Sequence, residues 1–212
     1  VVDRRIFDRA LLAEAARSGA DVMMASPVTG LVRGGGRSVL KVGRGSDQRE
    51  IEAKVVVSAE GVGARIARGA GIGPPRQILS SAQVEVPIEF EDPERVEVFL
   101  GSAVAPGFFA WAIPASEGGG RVGLSCRNNA CTYLKRLLKS PPIRSRIKGG
   151  PLHLAVGGLP LGPPASTVAD GIIAVGDAAG QVKPTSGGGI YPGLVSAKIA
   201  GDGHYGQKCQ AW

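Results

Sequence analysis

Apolar residues at Phe7, Ala10, Leu11 and Ala15 recur with helical spacing, which predicts a helix from Arg5 to Ser18 that Gly19 ends. Short β runs follow at Asp21–Ala25, Val28–Arg33 and Ser38–Val42. Gly34-Gly35-Gly36 joins the last two, the signature of a hairpin. Glu50–Ala59 ends in the run Val55-Val56-Val57 and reads as one buried strand. Gly61-Val62-Gly63 then turns into a short helix from Ala64 to Arg68, and the Gly69–Pro75 stretch breaks the pattern. From Ala82 onward polar and apolar residues alternate with period two, in Gln83–Val86 and again in Val96–Phe99. Such alternation predicts antiparallel strands with one solvated face. Strands continue at Phe109–Pro114 and Arg121–Cys126. Asn129–Lys139 is predicted to be a helix with Leu134, Leu137 and Leu138 inward, stopped by Pro141-Pro142. Leu152–Leu161 leads back through Gly162-Pro163-Pro164 to a buried strand at Gly171–Val175, and a last helix starts near Ile190.

The order is α/β, then antiparallel β, then α/β again: one domain with a second inserted into it. The boundaries fall at 1–78 and 161–212 for the outer domain and 79–160 for the insert. No internal repeat is evident.

Composition narrows the function. Glycine supplies 33 of 212 residues, more than twice the usual ~7%. It follows no three-residue period and clusters between apolar runs, as tight turns and ligand-facing loops require. Hydrophobic residues at 43% suffice for a core. No apolar stretch reaches the ~20 residues that span a bilayer, and Val1–Phe7, with Asp3, Arg4 and Arg5, is no signal peptide. Cys126, Cys131 and Cys209 are odd in number and form no C-x-x-C pair. They argue against a disulfide framework or structural zinc and suit a cytoplasmic chain. His153 and His204 lack neighbours suited to a metal.

The net charge of +7 is concentrated. Between Glu117 and Asp170 there are eight basic residues, from Arg121 to Lys148, and no acid. Two readings are open: a solvated surface, or a patch that meets anionic lipid headgroups or a phosphorylated substrate and makes the protein peripheral at a membrane. Nucleic acid fits poorly, because the interval holds one aromatic, Tyr133, and no recognition motif.

Chemistry concentrates between Gly171 and Gly193. A hydrophobic strand ends at Gly176, where the missing Cβ lets a ligand approach, and Asp177 follows at the carboxyl end of that strand. A carboxylate there can accept hydrogen bonds from ribose-type hydroxyls. Gly187, Gly188 and Gly189 then lead into a helix at Ile190, whose free N–H groups and dipole favour a phosphate or a polarised ring edge.

Four stretches resemble the FAD-dependent geranylgeranyl reductases, within the fold group of aromatic flavin hydroxylases. Asp3-Arg4-Arg5-Ile6-Phe7-Asp8 resembles a D-R-x-x-F-D helix start. Val57–Arg65 resembles an A-D-G-x-x-S-x-x-R segment, with Glu60 in place of Asp. Phe109-Ala110-Trp111-Ala112-Ile113-Pro114 with Val122-Gly123 resembles a Y-x-W-x-F-P…V-G element, with Phe109 in place of Tyr and Ser125 where a second Gly often stands. Gly176–Gly180 through Pro184–Ile190 resembles the most specific element, G-D-A-A-G…P-x-x-G-G-G-I.

The resemblance implies a Rossmann-like FAD-binding domain with an inserted antiparallel-sheet substrate domain. It implies FAD contacts at Arg4, Glu60, Gly61, Gly176, Asp177, Gly187, Gly188, Gly189 and Ile190. An apolar wall for the substrate would come from Phe108, Phe109, Trp111 and Ile113. It further implies reduction of polyprenyl double bonds in lipid biosynthesis, with electrons from NADPH or a ferredoxin-type donor. No residue qualifies as proton donor, and Cys126 does not match the family's proposed catalytic cysteine. Trp111-Ala112-Ile113-Pro114 also resembles half of the flavin halogenases' W-x-W-x-I-P, so a monooxygenase or halogenase is the alternative. A non-catalytic lipid- or polyanion-binding fragment is a second.

No G-x-G-x-x-G turn with the required strand and spacing occurs. The helical pattern also degrades after Ala200 into Gly201-Asp202-Gly203-His204. The chain is therefore expected to be an internal stretch of a longer reading frame, with an aberrant tail. Residues 1–212 alone are expected to bind FAD weakly or not at all. Flavin absorbance in the purified chain measures this, and a stable yellow protein would overturn it.

Overall fold

The computed structural model describes residues 2–115 and 119–202, and the chain divides into two compact units between Lys54 and Val55. His204 and Cys209 lie outside the described residues, as do Ser116, Glu117 and the tail from Gly203.

The first unit opens with α1 (Arg4–Arg17). Asp3 caps it by accepting from the Arg5 N–H at 2.8 Å and the Ile6 N–H at 3.4 Å. Three antiparallel strands follow: β1 (Val28–Gly34), β2 (Arg37–Val42) and β3 (Arg49–Ala53). Gly35 and Gly36, both at positive φ, make the expected hairpin turn. The segment Asp21–Ala25 is not a strand. It is irregular and turns at Met24-Ala25, where Ala25 takes φ +52°, and a strand is held by a partner rather than by its own propensity.

The second unit contains two sheets. β4 (Val56–Ser58), β10 (Val168–Ala169) and β11 (Ile172–Ala174) form a small one in the order β10-β11-β4. β11 lies antiparallel to β10 and parallel to β4. α5 (Ile190–Gly201) contributes Ala200 to the cluster with Ile173 and Val175. The single strand expected over Glu50–Ala59 is thus two strands in different sheets, broken at Lys54-Val55. Only Val56 of the Val55–Val57 run is buried, because alternate side chains of a strand face opposite ways.

The larger sheet has the order β6-β7-β8-β5-β9 and is antiparallel throughout. Its strands are β5 (Gln77–Pro87), β6 (Glu97–Leu100), β7 (Phe109–Pro114), β8 (Gly119–Cys126) and β9 (His153–Leu161). One face packs against α3 (Ala130–Lys139). Ala82, Val84, Ala110, Ala112, Val122, Leu124 and Cys126 meet Leu134 and Leu137 there, with Leu138 at the margin. The Pro141-Pro142 pair ends α3 and opens a new turn of helix, α4 (Pro141–Arg144), since proline at the first helical position loses no hydrogen bond. α2 (Arg65–Gly69) follows β4, and its Ile66 and Ala67 are buried. No helix among the described residues is long and apolar enough to cross a membrane.

Leu124 is wholly buried at the centre of the α3-facing core. Leu124→Ala is expected to destabilise the chain by about 2–5 kcal/mol. Urea unfolding measures it.

Candidate functional site

Two chain segments more than a hundred residues apart meet at the carboxyl ends of parallel strands. β4 pairs with β11 through Val56↔Ile172, Val57↔Ile173 and Ser58↔Ala174, and the Val175 N–H donates to the Ser58 carbonyl at 3.0 Å. The pairing brings Glu60-Gly61 beside Gly176-Asp177, at the strand ends where open α/β sheets bind ligands. Gly61 and Gly176 take φ +72° and +61°, and a Cβ on either would meet open space. Both bends therefore leave backbone accessible to a ligand.

Glu60 is committed to the chain itself. Its carboxylate accepts from the Ser58 hydroxyl at 2.7 Å, the Ile66 N–H at 3.0 Å and the Ala67 N–H at 3.1 Å, so it caps α2. Burial pulls the Glu60 pKa up. The hydrogen bonds from Ile66, Ser58, Ala67 and Arg65 outweigh it and hold the carboxyl below its ordinary value.

The Gly176–Ala179 turn is fixed from two directions. The Gly176 N–H donates to the Gln181 side-chain oxygen at 2.7 Å. Gly180, at φ +64°, lies so close to the Gly162 carbonyl that a Cβ would come within 2.6 Å of it. The Lys183–Gly188 loop closes on itself, with Gly187 N–H donating to Lys183 and Lys183 N–H to Gly188. It delivers Gly189 to the start of α5, where a Cβ would sit 3.0 Å from Asp177 Oδ1. Asp177, Gly189 and the N-terminus of α5 at Ile190 thus form one cradle, with a carboxylate acceptor on one side and helix N–H donors on the other.

An aromatic wall reaches this cradle. Phe108 and Phe109 stack at 4.4 Å, and Phe109 meets Trp111 edge-on at 6.0 Å. A Cβ on Gly187 would lie 3.5 Å from the Phe108 ring and 3.2 Å from Leu159. Trp111 and Ile113 share the sheet face opposite α3, and both are half-buried. Cys126 is on the other face. Its thiol, raised above its ordinary value by burial, donates to the Asn128 carbonyl.

Gly61, Gly176, Asp177, Gly187, Gly188, Gly189 and Ile190 therefore come together with Phe108, Phe109 and Trp111. Arg4 sits in the first unit, where its guanidinium forks onto Asp8 with two 3.0 Å bonds. Sequence reasoning missed Gln181, whose link to Gly176 spans a loop with no periodicity, and Gln83, which only strand register connects to the wall. The basic interval is broken up by acids from elsewhere in the chain. Arg121 pairs with Glu85 at 3.0 Å, Arg146 with Glu97 at 2.5 and 2.8 Å, and Lys148 with Glu89 at 2.9 Å. Among the described residues no group of His, Cys, Asp and Glu could hold a metal ion.

The fold is one that solved flavoproteins share. A geranylgeranyl bacteriochlorophyll reductase-like protein from Thermoplasma acidophilum superposes with a TM-score of 0.83 at 30% identity, over 94% of this chain and 53% of that one. A flavin-dependent brominase superposes at 0.75 over 94% of this chain and 54% of its own, at 17% identity, a likeness of fold alone. In sequence, the chain is 37% identical over 211 residues to the digeranylgeranylglycerophospholipid reductase of Methanocaldococcus jannaschii, covering 95% of this chain and 54% of that protein. Curated proteins of that name match at 32–37% identity, and the chain spans about half the length of the first of them. No protein-family model matches.

The depressed Glu60 pKa means that its capping bonds stabilise the fold above the unfolded carboxylate pKa. That contribution is lost as the pH falls through the folded pKa. Glu60→Gln is expected to cost at most about 1 kcal/mol at about pH 7, since the carboxylate remains open to solvent. The cost should shrink as the pH falls through the folded pKa, where the wild-type group takes up its proton. Urea unfolding across a falling pH series separates this from a loss that ignores charge.

Proposed function

We propose that this chain belongs to the working part of an FAD-dependent oxidoreductase that reduces carbon–carbon double bonds in the geranylgeranyl chains of a membrane lipid. The observation that carries the reading is the approach of Phe108 to Gly187, which joins an apolar wall to a cradle suited to a polar cofactor. The similarity to digeranylgeranylglycerophospholipid reductases along 95% of the chain supports the same conclusion. We assign residues 1–78 and 161–212 to a Rossmann-like FAD-binding domain and 79–160 to an inserted substrate domain. The assignment is supported by β4 and β11, which flank the insert and pair in parallel, while β5 to β9 pair with each other.

The residues fit a flavin on two grounds: bare backbone at Gly61 and Gly176, and the narrow gap between Gly189 and Asp177. Asp177 would accept from hydroxyls of the ribityl chain. Gly188, Gly189 and Ile190 would present N–H groups to the polar edge of the ring, and Gly187, whose N–H closes the loop on Lys183, would line it with bare backbone. Glu60 serves the site by shaping the bend that carries Gly61, and Arg4 is assigned on resemblance alone. When bound, the reduced flavin supplies a hydride to one alkene carbon, and the neighbouring carbon takes a proton. Phe108, Phe109, Trp111 and Ile113 hold the alkene and exclude water, because an unactivated double bond offers no polar handle.

NADPH or a ferredoxin-type donor provides the electrons. Lys135, Arg136, Lys139 and Arg144 remain exposed for a lipid phosphate, in keeping with a cytoplasmic enzyme peripheral at the membrane. The halogenase alternative has in its favour the Trp111–Pro114 half-motif and a likeness of fold at under 25% identity.

The test incubates the full-length protein and its reduced flavin with a digeranylgeranyl glycerophospholipid. Mass spectrometry should find two hydrogens gained per double bond. Trp111→Ala should slow the reaction about 10-fold or more, and Asp177→Ala should weaken flavin binding about 10- to 100-fold. Oxygen incorporation, or salt-sensitive vesicle binding by a protein without flavin, would overturn the reading.

A further inference from the structure

On the sheet face opposite α3, one rung runs Val98, Trp111, Gly123, Gln83, Ala155 across all five strands. The Trp111 side chain does not stay over its own strand. A Cβ on Gly123 would lie 2.8 Å from each of Trp111 Cε2, Cζ2 and Nε1, so the indole lies flat across the position where β8 has no side chain. It thereby spans a full strand, and its N–H donates to Gln83 Oε1 on β5 at 2.9 Å. Beyond the ring, a groove of about 230 Å³ runs toward β9, lined by Ser81, Gln83, Trp111, Ala155, Val156 and Gly157. Its lining carries no charge. Ser81 and Ser125 satisfy each other at 2.7 Å, so their hydroxyls make no strong demand on an occupant. The groove continues the Phe108–Phe109–Trp111 wall.

We propose that Gln83 is a positioning residue, which fixes the Trp111 indole across Gly123 and thereby sets the side wall of a groove that takes an isoprenoid segment of the substrate. This rests on the reductase reading and deepens it. An indole N–H left without an acceptor would turn toward water, swing the ring off Gly123 and change the width of the groove. The amide oxygen is the acceptor for that N–H, and the reach of the indole depends on Gly123 remaining bare. The Gln83 amide oxygen meets the Trp111 N–H, so Gln83 shapes the groove by fixing that ring as well as by lining it.

The test uses full-length holoprotein labelled with 5-fluorotryptophan, with the Trp111 resonance assigned by its loss in Trp111→Phe. Gln83→Met keeps the side-chain length and removes the acceptor, whereas Gln83→Glu keeps an acceptor. In Gln83→Met the Trp111 resonance should shift and broaden. The KM for the digeranylgeranyl lipid should rise about 3- to 10-fold, the range expected for one lost hydrogen bond. Flavin content and its reduction by dithionite should stay at wild-type levels, and Gln83→Glu should restore both resonance and KM. An unmoved resonance, or a moved one with unchanged KM, overturns the proposal. A wild-type protein that reduces no polyprenyl lipid overturns the reductase reading first. That failure is recognisable because it precedes any effect of Gln83→Met.

Discussion

The parallel pairing of β4 with β11 is the interaction on which the rest depends. Three residues from each strand, drawn from either side of a long intervening sequence, place two backbone bends side by side. Neither bend makes a site alone. Gly61 offers bare backbone but no acceptor free of the chain, since Glu60 is spent on capping α2. Asp177 offers a carboxylate but needs the α5 N-terminus opposite it, and the Lys183–Gly188 loop delivers that helix. Long-range parallel pairing is entropically costly. Here it is secured by the burial of Ile172, Ile173 and Ala174 and by the α5 contact at Ala200.

The second organising constraint is steric. At several points, glycine marks where something else must pass. Gly180 lets two loops touch, Gly187 lets Leu159 pack closely, and Gly123 lets an indole cross a strand. The high glycine count is therefore concentrated in function as well as in turns, and the low aromatic content does not leave the site poor in rings, because three of the few aromatics stand together.

Much of this was legible in the sequence because it is local. The strand–Gly-Asp–loop–Gly-Gly-Gly–helix order, the period-two insert and the inward leucines of α3 are all written within short windows. What escaped depends on partners. Asp21–Ala25 has the residues of a strand without the pairing, and Val55–Val57 looked continuous although β3 and β4 belong to different sheets. The basic interval looked unopposed because Glu85, Glu89 and Glu97 precede it in the chain and reach it only through strand register and tertiary packing. Gln83 and Gln181 were invisible for the same reason. An amide on a strand or in a loop has no signature until its acceptor oxygen is seen to meet a donor.

The indole that lies across β8 has a consequence beyond the site. Side chains on a strand alternate faces, so a slip of one residue between β7 and β8 would turn Trp111 into the face packed by α3 and expose Ala110 and Ala112. Its N–H would then be buried in an apolar layer with no acceptor on that rung. A slip of two residues would keep the face but set the ring against Arg121 or Ser125 instead of the bare Gly123. The crossing ring thus works as a gauge that admits one alignment of three strands. Proofreading of the sheet and construction of the wall are a single event.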